Sequence, residues 1–309
     1  MTDHVKPAAA HTRVGNDSTG LILLALITLF WGVNWPAIKL SVNEVPVWVF
    51  RTICLLAGAG GLFAIAAMAR LSLRIPRQDL RPLLIAALGN ITGWHLFSAL
   101  GVTMMLPGRA SILAFTMPLW AAPIAAVWLR ERIDGLRLAG LGVGMIGLLV
   151  LVIPDWANLS AAPMGPVFML LAAISWAFGT VALKTHTYSM PTTSLVAWQM
   201  LLGGIPIFLG ALIFDRDFDP AAVSSLGWWA VAYAALIPMV FCHWAWFRVV
   251  GLYPAVVAAI GTLAIPVVGI ISSAMITGDP VGWDEIVSLV LVVLALFLVL
   301  VAPQLRKRA

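Results

Sequence analysis

Two histidines lie within long apolar runs of the chain, where titratable side chains are rare. They are His95 and, 148 residues further along, His243. An imidazole titrates near neutral pH, so a pair of this kind can sense or carry protons. The simpler alternative is a neutral imidazole that donates a hydrogen bond to a backbone carbonyl of a neighbouring helix. All 13 Asp and Glu residues lie in tails, loops or run ends, which disfavours proton coupling through a buried carboxylate.

A polar and aromatic group lies near the end of the first apolar run. Trp31, Asn34 and Trp35 follow at i, i+3 and i+4 and therefore share one face of a helix. Pro36 lacks the amide that would bond to the Gly32 carbonyl, and freed backbone within a membrane is tolerated where protein or a water-filled cavity covers it. We interpret this face as the lining of a cavity. The alternative is an ordinary kink, with Trp35 in the interfacial aromatic belt.

Similar stripes of polar and aromatic residues recur in later runs. Polar groups within a bilayer need partners, so most of these residues should face the protein interior. Aromatic stripes at helical spacing also occur where helices simply pack. The further candidate lining residues are Asn90, Trp94, Phe97, Ser111, Phe115, Trp176, Thr180, Gln199, Trp246 and Thr262, and the predicted kinks are at Pro36, Pro118 and Pro266.

Three cations at run ends are candidate partners for a substrate carboxylate. They are Lys39, Arg51 and Lys184. A carboxylate inside a membrane protein needs a cationic side chain or a helix N-terminus. The alternative is that these long side chains extend toward lipid head groups.

The composition indicates that most of the chain is solvated by lipid. Of the 309 residues, 62% are hydrophobic and 10% are charged, and the mean hydropathy is +1.02. Cys54 and Cys242 both lie in apolar runs, so a disulfide framework is not expected. Metal-ligand spacing is absent from the sequence, and neither a metal site nor a cofactor is expected. Runs long enough to cross a bilayer predict an all-α integral membrane protein with ten transmembrane helices, at about 20–40, 47–69, 82–102, 107–128, 136–153, 165–185, 194–214, 228–249, 254–276 and 284–301.

The distribution of Lys and Arg predicts the orientation. With the amino terminus in the cytoplasm, 14 of the 18 Lys and Arg residues fall on the inner side. Both termini should then be cytoplasmic, in a multi-pass protein of the inner (cytoplasmic) membrane. The same bias explains the pI near 9.7 through contact with acidic lipid, so no nucleic-acid partner is expected. The first 19 residues contain no apolar segment that predicts a cleaved signal peptide.

The chain repeats itself at a spacing of 145 to 148 residues. Five predicted helices in each half mean that the second half starts from the opposite side, which gives two five-helix repeats of inverted topology and a shared site near the midplane. The predicted units are a cytoplasmic tail at 1–19, the first repeat at 20–153, an external loop at 154–164, the second repeat at 165–301 and a basic tail at 302–309. The matched pairs are Trp31 and Trp176, Lys39 and Lys184, His95 and His243, Pro118 and Pro266, and Glu131 and Asp279.

These motifs resemble the EamA-type, ten-helix members of the drug/metabolite transporter superfamily. The resemblance covers residues 20–301 and rests on the order and doubling of motifs that are each modest alone. Those motifs are Trp31 to Lys39, Pro46 to Arg51, Ala110-Ser111 to Pro118, Gly140, Gly144 and Gly147, Trp176 to Lys184, and Pro266 to Asp279. The second half departs from the pattern at Gly179, Thr180 and Gln199, which stand opposite Asn34, Trp35 and Arg51, so an asymmetric site is expected.

The resemblance implies export of small metabolites, often amino acids, through a cavity lined by helices 1, 3, 4, 6, 8 and 9. The abundance of tryptophan fits neutral or aromatic amino acids, moved by alternating access. The expected partners are a small-molecule substrate and the lipid bilayer, and the expected form is a monomer. Other small organic solutes or drugs are the alternative cargo. A channel and a membrane-embedded enzyme fit less well, because neither a ring of charges nor a nucleophile–base pair stands out.

Overall fold

The structure, a computed structural model, describes residues 18–130, 135–152, 164–252, 264–302 and 305. Thr262, one of the predicted site residues, lies outside these ranges, as do Glu131, the predicted external loop and most of both tails.

The described residues form helices and contain no strand. Their bounds agree with the predicted runs to within a few residues, apart from the first part of the ninth run, which is not described. Their order is α1 Ser18–Val42, α2 Val47–Met68, α3 Arg77–Met104, α4 Pro107–Trp128, α5 Gly135–Val152, α6 Met164–Lys184, α7 Thr192–Phe214, α8 225–252, α9 Ile265–Ile276 and α10 Trp283–Leu296, which a π-helical segment extends over Phe297–Val301.

Seven of these helices, α1 to α4 and α6 to α8, are long and apolar enough to cross a membrane. Shorter apolar stretches occur in α5 and α9. Many large apolar side chains face outward: Val127 is 84% exposed and Met275 is 80% exposed. A surface of this kind requires a lipid solvent. The protein is therefore a helical membrane protein, while the count of ten crossings remains a prediction.

Two helices contain a π-helical segment at similar places. In α3 the segment is Leu88–Gly93, directly before Trp94, and in α8 it is Ile237–Cys242, directly before His243. A π-turn inserts an extra residue into the helix and often marks a functional site. Each segment therefore sets the direction in which the following histidine-bearing stretch faces.

Proline accounts for the interruption of α4. Its two parts, Pro107–Ala114 and Met117–Trp128, are separated by Phe115 and Thr116. Pro118 lies in the first turn of the second part, where a missing amide costs nothing. Pro266 takes the same place at the start of α9. By contrast, α1 continues through Pro36, and the Ser272 hydroxyl lies 3.5 Å from the Gly32 carbonyl oxygen that this proline frees.

Helix pairs join the two halves of the chain. The closest pairs are α2 with α7, α5 with α10, α3 with α6, α1 with α8, α1 with α9, and α4 with α6. Glycines permit the approach of α5 to α10, because side chains at Gly140, Gly144 and Gly147 would meet atoms of Val299, Ala295 and Leu291. If α1 to α5 are exchanged with α6 to α10 in order, each of these pairs becomes another pair of the same set. The α3–α6 pair, for example, becomes the α1–α8 pair.

Candidate functional site

Arg51 is the fifth residue of α2 and is buried, with 1% of its surface exposed. Its Nε donates to the carbonyl oxygen of His95 at 2.8 Å, and its Nη2 donates to the Ser98 hydroxyl at 3.0 Å. Both acceptors belong to α3 and are neutral. Within the described part of the chain, no carboxylate pairs with this guanidinium. A buried charge without a counter-charge is costly, which marks this position as unusual.

The two histidines predicted as a pair lie close enough to interact electrostatically. His95 on α3 is 2% exposed, and neither of its ring nitrogens has a hydrogen-bond partner among the described residues. His243 on α8 has Nδ1 2.8 Å from the Pro238 carbonyl oxygen. A carbonyl only accepts hydrogen bonds, so Nδ1 carries the proton of the neutral ring and Nε2 is an acceptor. Of the two rings, His95 is the one near Arg51, and His243 lies within electrostatic range of His95.

Aromatic rings from α1 and α8 surround His243. The Trp31 ring lies 5.8 Å from the His243 ring, edge to face, and 5.9 Å from the Trp246 ring, measured between centroids. Asn34 follows one turn after Trp31, and its buried Oδ1 has no partner among the described residues. The helix face predicted from the sequence therefore combines aromatic surface with an unused acceptor.

Four of the predicted residues meet between α3 and α6. The centroids of the Trp94 and Trp176 rings are 5.1 Å apart, and the ring planes are inclined by 60°. One turn away, the Thr180 hydroxyl lies 3.5 Å from Asn90 Oδ1. Gly179 permits this approach, because a side chain there would overlap Asn90. This second cluster repeats the aromatic and polar pairing seen between α1 and α8.

The remaining predicted residues are placed differently. Trp35 of α1 is 5% exposed and packs against Gly269 of α9, which also lies close to Ser111 of α4. Phe97 stacks on Phe168 at 6.2 Å between centroids, and Phe115 is half-buried at the interruption of α4. Gln199 on α7 is buried, and its Nε2 lacks a partner in the described part of the chain.

The other two predicted cations do not join Arg51. Lys39 Nζ donates to the carbonyl oxygens of Val102 and Thr103, at 3.0 and 3.2 Å. These belong to the last carbonyls of α3, which have no partner within their own helix, so Lys39 caps that helix end. Lys184 is the last residue of α6 and is exposed, in agreement with an interfacial position.

Polar contacts between the halves close both ends of the helix bundle, and the sequence did not indicate them. At one end, Glu44 accepts from the backbone amide and hydroxyl of Ser224, at 2.6 and 2.7 Å. The hydrogen bonds from Ser224 hold the pKa of the Glu44 carboxyl below its usual value. Asp279 at this end accepts from the Gly108 amide, at the start of α4, at 3.0 Å.

Arg109 adds an ion pair at the same end. Its guanidinium contacts the carboxylates of Asp284 and Glu285, at 2.7 and 2.6 Å, at the start of α10. The partners in these contacts are more than 170 residues apart, which is why spacing alone gave no signal.

At the opposite end of the bundle, the fully buried Asp79 of α3 binds the loop between α6 and α7. Ser189 donates to it through its amide and hydroxyl, at 3.1 and 2.9 Å, and His186 Nε2 lies 2.8 Å away. The α1–α2 loop and the α6–α7 loop, which join the first two helices of each half, are therefore both held by a carboxylate–serine contact.

A cavity of about 450 Å³ lies between α2 and α8. Its lining is apolar and includes none of the residues predicted for the site; the lining residues are Ala57, Gly61, Ile65, Leu236, Val240, Phe241 and Trp244. Among the described residues, no group of three or more His, Cys, Asp or Glu side chains could hold a metal ion. The candidate site is thus the cluster around Arg51, His95, His243 and Trp31, and this cavity is a neighbouring feature.

Comparisons with known proteins agree with this architecture. The profile of the EamA-like transporter family matches residues 18–153 and again 163–301. A probable amino-acid metabolite efflux pump of Escherichia coli is 26% identical over 90% of this chain and 93% of its own length. The uncharacterized transporter YoaV of Bacillus subtilis is 27% identical over 79% of this chain and 84% of its own length.

The fold has also been seen in a solved structure. A crystal structure with 21% sequence identity superposes with a TM-score of 0.65, over 94% of this chain and 98% of the other. That likeness concerns the fold alone. The family profile covers nearly the whole chain, and the chain is therefore a membrane transporter that belongs to the EamA-like transporter family.

Proposed function

We propose that this protein is a secondary transporter that exports small metabolites, above all amino acids with neutral or aromatic side chains. The observation that carries the proposal is a set of buried polar atoms without partners: Asn34 Oδ1, both ring nitrogens of His95, and Gln199 Nε2. Unsatisfied buried groups are rare in proteins and call for a ligand or water. All three residues lie on helices that pack between the halves of the chain.

The surroundings of these atoms fit the two parts of an amino acid. The unused donors and acceptors suit an ammonium and carboxylate head, while Trp31 and Trp246 provide a surface for an apolar or aromatic side chain. The relative in Escherichia coli whose name describes a probable amino-acid metabolite efflux pump favours the same class. Other small organic solutes or drugs are the second candidate, and the apolar cavity between α2 and α8 favours them.

The proposed mechanism is alternating access by two inverted five-helix repeats with ten transmembrane spans. Three observations support it: the family profile matches twice, the helix pairs are unchanged when the halves are exchanged, and π-segments precede the histidine-bearing stretch in both halves. A site between such repeats becomes accessible from each side in turn as the halves rock. The termini are then cytoplasmic, and a monomer suffices.

The polar contacts at the ends of the bundle are the proposed gates. Glu44 with Ser224 and Arg109 with Asp284 and Glu285 close the outer end, and Asp79 with Ser189 closes the inner end. Each contact joins the two halves, so relative motion of the halves must break one set and can keep the other. Hydrogen-bonded contacts near water are exchanged at modest cost, which suits a gate.

Counterflow in liposomes tests the proposed function. Purified protein is reconstituted with unlabelled phenylalanine inside, and the uptake of labelled phenylalanine is followed, with leucine and a cationic dye as alternative solutes. A carrier gives transient, saturable accumulation of the labelled solute. Linear uptake without saturation would indicate a channel, and an absence of uptake for every solute would contradict the proposal.

A further inference from the structure

The positive charge of Arg51 is not balanced within the described structure. A guanidinium has five N–H donors, and the side chain uses two of its nitrogens on neutral acceptors of α3, the His95 carbonyl and the Ser98 hydroxyl. The Phe50 ring lies against one face of the guanidinium, with its centroid 5.0 Å from Cζ, so the remaining edge of the fork is not used by this contact. Two neutral hydrogen bonds and one aromatic face fix the orientation of the guanidinium but leave its charge without a counter-ion.

The other two candidate cations, and Arg109 as well, already have identifiable roles. Lys39 binds two carbonyls at the end of α3, Lys184 is exposed at the end of α6, and Arg109 pairs with two carboxylates. A cation that binds cargo must be buried, oriented and unpaired in the absence of cargo. Of the cations named as candidates, Arg51 meets all three conditions.

The two halves of the chain carry different charges at the positions of Arg51 and Gln199. The residue 148 positions after Arg51 is Gln199, which is also buried and whose Nε2 lacks a partner among the described residues. The helices that carry them, α2 and α7, pack against each other. One side of the site therefore offers a cation and the other a neutral amide. This arrangement suits a single anionic group and disfavours a dianion, which would need a second cation.

We propose that Arg51 binds the carboxylate of the transported solute, which makes carboxylate-bearing molecules, zwitterionic amino acids included, the cargo class and excludes simple organic cations. The inference rests on the proposed transport function and goes beyond it by naming the group that is recognised. The free nitrogens of His95, whose carbonyl orients Arg51, lie beside this subsite and can bond the rest of the head group. Since Arg51 is 1% exposed here, binding requires the opening motion of the transport cycle.

Four phenylalanine-related probes separate the carboxylate from the rest of the molecule. They are L-phenylalanine, 3-phenylpropionate, which lacks the amine, phenethylamine, which lacks the carboxylate, and phenylalanine methyl ester, in which the carboxylate is masked. The thermal unfolding of the full-length protein in detergent is measured with each probe, because a ligand that binds the folded state raises Tm according to its affinity. We expect the first two to raise Tm and to bind at least about tenfold more tightly than the last two, the ratio typical of one charge-assisted hydrogen bond.

Variants assign the effect to Arg51. Arg51→Gln places the residue of the second half at this position, and the preference for the two carboxylates should disappear. Arg51→Lys keeps the charge but not the fork of donors, and it should retain part of the preference. Arg216→Gln, an exposed arginine at the end of α7, is the matched control and should behave as the wild type. If Arg51→Gln does not fold, Arg51→Lys takes its place, and binding of both carboxylates as tightly as by the wild type would then contradict the role of the Arg51 fork.

The inference is wrong if phenethylamine stabilises the wild type as much as phenylalanine does, if none of the four probes stabilises it, or if Arg51→Gln keeps the preference. Counterflow separates this failure from failure of the proposed function. If transport is saturable but its rate does not depend on the carboxylate of the solute, only the proposed role of Arg51 is wrong. Absence of transport for every solute, with carboxylates still binding at Arg51, would remove the transport proposal and leave the subsite.

Discussion

Glu44 accepts hydrogen bonds from both the amide and the hydroxyl of Ser224. Asp79 and Ser189 repeat this contact with the roles of the halves exchanged, since Ser224 is 145 residues after Asp79 and Ser189 is 145 residues after Glu44. The same two positions of each half thus carry one carboxylate and one serine, in opposite order. In the proposed inverted repeats, one contact closes the outer end and the other the inner end.

The outer contact should respond to acid. The bonds from Ser224 lower the pKa of the Glu44 carboxyl relative to the unfolded chain. A lowered pKa means that the contact stabilises the closed end above the unfolded value and loses this contribution as the pH falls through the folded value. We therefore expect it to persist at neutral pH and to break only in acid, below the ordinary glutamate range. Glu44→Gln should weaken the contact at every pH at which the wild-type carboxyl is ionised.

The reactivity of the native Cys54 thiol, which is buried on α2, measures whether the outer end opens when the Glu44–Ser224 contact is weakened. In a Cys242→Ser background, Cys54 should react with N-ethylmaleimide several times faster in Glu44→Gln than in the wild type. Asp217→Asn, at an exposed position in the loop after α7, is the control and should react at the wild-type rate. Equal rates in Glu44→Gln and in the control would show that the contact does not restrain the outer end.

Asn34 and Trp35 are neighbours in α1 for which we expect different losses. Asn34 Oδ1 has no partner among the described residues, so Asn34→Ala should leave the fold intact and reduce transport at least about tenfold if the amide binds cargo. Trp35 fills the core between α1, α4 and α9, and Trp35→Ala should cost about 3–5 kcal/mol of stability. Thermal unfolding and counterflow on both variants separate the two effects. Full transport by Asn34→Ala would exclude its amide from the site.

The histidine pair predicts a pH dependence of transport. His95 lies within electrostatic range of both Arg51 and His243, so a charge on the His95 ring would alter cargo binding at Arg51. His95→Gln combined with His243→Gln keeps polar side chains of similar size and removes the titration. We expect the rate of uptake to change as the pH is lowered in the wild type and to be independent of pH in the double variant. The same profile in both proteins would eliminate the histidines as proton carriers.

Lys39 should contribute to stability rather than to cargo binding. Its ammonium caps two carbonyls at the end of α3, so Lys39→Gln should lower the free energy of unfolding by about 1–3 kcal/mol. Lys184→Gln, at an exposed helix end, should change it by less than about 0.5 kcal/mol. Thermal unfolding measures both. A larger loss in Lys184→Gln than in Lys39→Gln would contradict this assignment.

Hydropathy was sufficient to predict where the helices lie, because lipid imposes a minimum apolar length on every span. Polar residues within apolar runs must face inward, and this rule singled out His243. The Trp31 ring, predicted to line the cavity, contacts the rings of both His243 and Trp246. It could not distinguish Arg51 from Lys39, because both are cations near helix ends. Only packing shows that Arg51 is buried against α3 and that Lys39 caps the end of that helix. Ser189 and Ser224 gave no signal, because serine in a loop is common and its partner lies over 100 residues away.

Sided labelling of two equivalent loops tests the inverted repeat most directly. In a background with Cys54 and Cys242 replaced by alanine, single cysteines are introduced as Asn43→Cys, in the loop between α1 and α2, and Thr187→Cys, in the loop between α6 and α7; both positions are exposed. A membrane-impermeant maleimide is applied to intact cells. The proposed architecture predicts that Asn43→Cys is labelled from outside and that Thr187→Cys is labelled only after permeabilisation. Labelling of both from the same side would contradict the inverted repeat and the alternating-access mechanism built on it.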